Sequence, residues 1–102
     1  MGVVDMTMKG MCKKLAVFDA QARLNRVPGH LSIFRESDFT PEEMAEVNKA
    51  AERVRQTFEA CNGKPWGDAL RAIHSVLPDL WLGFKAQDQV IEICRKNRIL
   101  FS

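Results

Sequence analysis

The stretch from Phe39 to Gly63 constrains this chain more than any other, because it carries a helix start, a regular apolar seam and a helix stop in one uninterrupted run. Thr40 can accept from the backbone amide of Glu43, and the Glu43 carboxylate can reach back to the Thr40 amide. Pro41 suits the first helical position, and Glu42 and Glu43 suit the positive end of the helix dipole. Phe39 and Met44 have the spacing of a hydrophobic staple. Met44, Val47, Ala51, Val54, Phe58 and Cys61 recur at alternating gaps of three and four, which is one face of a helix. Asn62-Gly63 then supplies the left-handed backbone that ends it. A central helix over about 41–62 follows, with helix-on-helix packing as the organising theme.

The flanking segments read as further helices. Met11, Leu15, Phe18 and Ala22 fall at helical intervals across 11–25, although Leu15–Phe18 taken alone also fits a short strand. Val27-Pro28-Gly29 ends that segment. From His30 to Asp38 the alternation is too imperfect for a strand at 31–34 to be assigned, and the segment reads as an extended connector. After a turn at Lys64-Pro65, Trp66, Ala69, Leu70, Ile73 and Leu77 form the stripe of a shorter helix closed by Pro78. Asp79 is placed to cap a last helical run bearing Leu80, Trp81, Phe84, Val90, Ile91 and Cys94. Gln87-Asp88-Gln89 interrupts its apolar face, so 79–96 reads as one helix or two. The expected fold is all-α: a small three-to-four-helix domain over 11–102 behind a flexible N-terminal leader, 1–10.

A chain of 102 residues makes one such domain. The net charge of +2 is small, and no segment approaches the basic density that phosphate-backbone binding requires. Three cysteines, Cys12, Cys61 and Cys94, with no Cys-x-x-Cys pair, fit a reducing cytoplasm better than a disulfide framework. No apolar run has the length to span a bilayer. The N-terminus lacks the positive opening and apolar core of a signal peptide, and Met6 stands where a myristoylation motif needs Ser or Thr.

Candidate chemistry is sparse. His30 and His74 are the only side chains that titrate near neutrality in their ordinary state. A zinc site from Cys61, His74 and Cys94 lacks ligand-like local spacing. Cys12 precedes Lys13-Lys14, which would lower an exposed thiol's pKa, but no base or orienting group lies nearby, and inert thiols fit all three cysteines better. Capping already explains Glu42-Glu43. There is no nucleophile elbow, phosphate-cradling glycine loop or His-Glu-x-x-His. No catalytic residue, metal or cofactor is expected. A helix–Asn62-Gly63–helix arrangement invites a small helical DNA-binding regulator as the alternative, yet 66–77 offers only Arg71 and His74 to base edges.

Large apolar residues exceed what so few helices need. Trp66, Trp81, Phe84, Ile99 and Phe101 are therefore candidates for a surface that binds a protein partner. Met44, Val47, Ala51, Val54 and Phe58 form a seam that also suits a two-fold helix pair, hence a homodimer.

The chain resembles the QslA-like anti-activators of bacterial quorum sensing in its length and in three segments: Leu24-Asn-Arg-Val-Pro-Gly-His30, Phe39-Thr-Pro-Glu-Glu43 and Ala60-Cys-Asn-Gly-Lys-Pro-Trp66. The resemblance implies an all-helical cytoplasmic dimer that binds the ligand-binding domain of a LuxR-type transcription factor such as LasR. It would block that factor's dimerisation and DNA binding, with no direct nucleic-acid contact and no membrane association. No site residue is carried over, because the resemblance has no defining motif to align. An electrophoretic shift assay with the purified protein alone separates this reading from the alternative. An anti-activator leaves DNA unshifted at low salt, whereas a direct binder shifts it and loses the shift steeply as salt rises.

Overall fold

In a computed structural model, which describes residues 7–24 and 36–102, the chain forms four α-helices: α1 (Met8–Arg23), α2 (Pro41–Ala60), α3 (Trp66–Val76) and α4 (Phe84–Lys96). One turn of 3-10 helix, Glu36–Asp38, precedes α2. No strand occurs among the described residues, so Leu15–Phe18 lies in α1. Residues 1–6 of the expected leader, the turn 27–29 and residues 30–35 of the expected connector, with the strand option at 31–34, lie outside the described residues.

The ends of α2 are those the residues dictate. The Glu43 amide donates to Thr40 Oγ1 at 3.1 Å and the Thr40 amide donates to Glu43 Oε1 at 2.9 Å, a complete capping box. Phe39 is buried and shares an apolar cluster with Met44, so the staple has both its halves. At the other end Gly63 takes φ 85°, where a Cβ would strain the backbone, and the Lys64 amide closes the turn onto the Cys61 carbonyl at 3.0 Å.

Two boundaries differ from expectation. α1 begins at Met8, inside the expected leader 1–10, because Thr7 caps it: Thr7 Oγ1 accepts from the Gly10 amide at 3.0 Å. Met8 is thereby carried into the core. The run 79–83 is not helical, and α4 begins only at Phe84, then passes unbroken through Gln87–Gln89. Leu80 and Leu82 are buried while Trp81 between them is exposed, a period of two that extended chain provides and a helix does not.

Packing follows from the seam. Met8, Met11, Cys12 and Leu15 of α1 meet Val54 and Phe58 near the end of α2. Ala16 and Val17, further along α1, meet Val47 near the start of α2. The two helices therefore run antiparallel, each covering the other's apolar stripe. Ile73 and Leu77 of α3, Leu80, Leu82, and Val90, Ile93 and Cys94 of α4 close the larger cluster. Charged pairs lace the solvent side: Arg55 bridges Glu52 and Glu59 along α2, and Arg95 pairs with Glu92 on α4.

The C-terminal tail is pinned to the α2–α3 turn. The Gly63 amide donates to the Leu100 carbonyl at 2.7 Å, the Leu100 amide to Asn62 Oδ1 at 2.9 Å, and the Ser102 amide to the Lys64 carbonyl at 3.0 Å. The turn that feeds this tail ends α4 in a Schellman motif, with the Ile99 amide bonded to the Cys94 carbonyl and the Arg98 amide to the Arg95 carbonyl. Its left-handed position is held by Arg98, at φ 64°, rather than by glycine. Arg98→Gly relieves that Cβ strain and is expected to stabilise the fold by about 0.5–1 kcal/mol. A thermal melt that stays put or falls would contradict it.

Candidate functional site

The five apolar residues singled out as partner-binding candidates separate into two groups. Trp66, Ile99 and Phe101 pack onto the fold's main apolar cluster. Trp66 stacks on Phe58 with ring centroids 6.4 Å apart and planes 9° apart. Phe101 tilts against both rings, 5.2 Å from Trp66 and 6.4 Å from Phe58. Ile99 is buried in the main cluster, and Trp66 and Phe101 are half-buried at its edge. Trp81 and Phe84 lie on the outside, 82% and 86% exposed. They flank the N-terminus of α4, and Trp81 lies across Gly83. A Cβ added at Gly83 would stand 3.3 Å from the indole Cζ3 and 3.4 Å from Cη2.

The seam residues are committed within the chain. Val47, Val54 and Phe58 are buried, and Met44 and Ala51 are half-buried against the apolar cluster between α1 and α2. A second copy would reach Val54 or Phe58 only by opening the core.

The segment that presents the two aromatics is held at both ends. Leu77-Pro78-Asp79-Leu80 is a β-turn, closed by the Leu80 amide on the Leu77 carbonyl at 3.1 Å, with proline in its favoured second position. The Asp79 amide, which such a turn does not use internally, donates at 3.0 Å to Oδ1 of Asp19, a fully buried carboxylate on α1. Asp19 Oδ2 lies 2.8 Å from Arg23 Nη2, off the line of a hydrogen bond, so charge alone meets it there. At the other end Gln87 spans two elements: its Nε2 donates to the Leu82 carbonyl and its Oε1 accepts from Trp66 Nε1, both at 2.9 Å. Asp19 and Gln87 have no signature in sequence. A lone aspartate in a helix rich in lysine reads as a solvated charge, and only the fold puts it beside residue 79.

Other candidates are not assembled into a site. Cys61 and Cys94 are buried, His74 is exposed on α3, and no group of three or more His, Cys, Asp or Glu side chains among the described residues has the geometry to hold a metal ion. Arg71, which a recognition helix would direct at DNA, is bonded to Asp68 one turn earlier on its own helix. No described helix is long and apolar enough to cross a membrane. Comparison with protein-family models, with curated proteins and with solved structures finds no match.

Burial sets the thiol chemistry. The Cys12 thiol is pushed up to about 12 by loss of solvent, with nearby Cys94 adding to the effect, and Cys94 itself is pushed up to about 12 by burial. The flanking lysines do not lower Cys12, because its side chain points into the core. Both groups stay neutral in the folded chain while the unfolded chain ionises them above about pH 8.5, so their effect on stability is absent below that pH and unfavourable as pH rises from there toward 12. Going from about pH 8 to about pH 10, the wild-type chain should lose more stability to urea than a Cys12→Ala/Cys94→Ala variant. Equal losses would show that the folded thiols ionise as freely as unfolded ones.

Proposed function

We propose that this chain works by binding another protein through the aromatic edge formed by Trp81 and Phe84, as a negative regulator rather than a catalyst. The observation that carries the reading is their exposure on a segment whose other large side chains, Leu80 and Leu82, are buried and whose ends are both tethered. Leaving a Trp and a Phe in water forgoes about 2–3 kcal/mol of burial each, and large aromatics on an ordered surface are the side chains that anchor protein interfaces.

The kind of partner rests on the resemblance to QslA-like anti-activators. In that reading the partner is the ligand-binding domain of a LuxR-type transcription factor in the cytoplasm. Capture of that domain keeps the factor from dimerising and from occupying DNA. The same resemblance implies a homodimer, which would be built from surface other than the buried seam.

Titration calorimetry with an isolated LuxR-type ligand-binding domain tests the proposal. Trp81→Ala and Phe84→Ala should each weaken binding by at least about tenfold, the cost of truncating a buried aromatic anchor, while helical circular dichroism stays unchanged. Unaltered affinity in both variants would remove this edge from the interface. No binding by the wild-type chain would remove the LuxR-type partner.

A further inference from the structure

Asp19 is costly where it stands. A carboxylate with no exposed surface has given up its hydration, and an apolar side chain on this face of α1, beside the buried Leu15 and Ala16, would avoid that loss. What an apolar side chain does not offer is an acceptor for the Asp79 amide, which points away from its own turn. The contact joins residues 60 positions apart, from the last turns of α1 to the segment between α3 and α4. Arg23 completes the arrangement from solvent, 2.8 Å from the Asp19 carboxylate and 4.0 Å from that of Asp79.

The consequence lies three to five residues further on. With the turn at 77–80 anchored, Leu80 enters the core, alternation then directs Trp81 outward and Leu82 inward, and Gly83 starts α4 with Phe84 on its outer side. A slip of one residue in this extended stretch would exchange Trp81 for a leucine on the surface. We propose that Asp19 is a positioning residue for the Trp81–Phe84 edge, acting through its bond to the Asp79 amide to fix which side chains the segment presents. The assignment of that edge as a binding surface rests on the function proposed above; the positioning itself does not.

Fluorine NMR of the full chain labelled with 5-fluorotryptophan tests this directly. Trp81 reports on the segment and Trp66, in the aromatic cluster, serves as the internal control, the two signals being assigned with Trp81→Phe. Asp19→Ala should shift or broaden the Trp81 signal, leave Trp66 unchanged, and speed exchange of the Asp79 amide by about tenfold, the loss of one part-buried hydrogen bond. Asp19→Val is the second variant, since an apolar side chain fills the space without leaving a cavity if the alanine variant fails to fold. Asp19→Asn keeps the acceptor and should keep the wild-type Trp81 signal and Asp79 protection. An unchanged Trp81 signal and Asp79 amide in the folded Ala or Val variant would overturn the proposal, as would an equal change in Asp19→Asn. Affinity for the LuxR-type domain, measured in parallel, should fall with Asp19→Ala and hold with Asp19→Asn. If the wild-type chain does not bind, the functional reading fails and the fluorine spectra still decide the role of Asp19.

Discussion

Phe58 stands where four parts of the chain converge, and the arrangement depends on its burial. It lies in the last turn of α2, fully excluded from solvent, in one cluster with Met8, Met11, Cys12 and Leu15 of α1. Trp66 from the first turn of α3 stacks on it and Phe101 from the C-terminal tail tilts against it. Burying its ring contributes about 2–3 kcal/mol directly, and each ring pair adds about 0.5–1.5 kcal/mol. The larger effect is geometric. Contact with Trp66 sets the angle at which α3 leaves the Asn62-Gly63 turn, and contact with Phe101 draws the tail back to where Leu100 and Ser102 bond that turn.

Around this point the chain uses its aromatic residues in two ways. Those near the α2–α3 turn pack against the core, with the one polar group of Trp66 satisfied by Gln87. Those on the α3–α4 segment are left in solvent while the leucines beside them are buried. Two polar residues, Asp19 and Gln87, hold the segment in that register from opposite ends. Directional bonds are suited to this task because apolar burial is non-directional and does not by itself decide which of several large side chains in an extended stretch turns inward.

Helices were legible in proportion to how local their causes are. The start and stop of α2 lie in contacts within four residues, and Thr40, Glu43, Phe39, Met44 and Gly63 behave as their types require. The start of α1 was harder to see, because Thr7 has only half a capping box and Gly10 stands where a Glu would have marked it. The run 79–83 was misplaced because Asp79 has the identity of a helix cap, yet its amide is taken by a carboxylate on another helix. Trp66 and Trp81 are alike in sequence, each near a proline and before a helical stripe, and opposite in structure. One lies against Phe58 and Phe101, contacts that no local pattern records.

Residue types and spacing by themselves determined that the chain is all-α, that a capped helix with a narrow apolar face lies at its centre, and that it carries more large apolar side chains than its seam consumes. These follow from intrachain hydrogen bonding and periodicity, which act over one or two turns. Only the tertiary structure decided that the seam is covered by α1 of the same chain, that Arg98 takes the left-handed position ending α4, and that Trp81 and Phe84 are the aromatics left outside among the described residues. Such outcomes turn on contacts between residues far apart in the chain, where each side chain's place is set by which neighbours have already filled the limited interior.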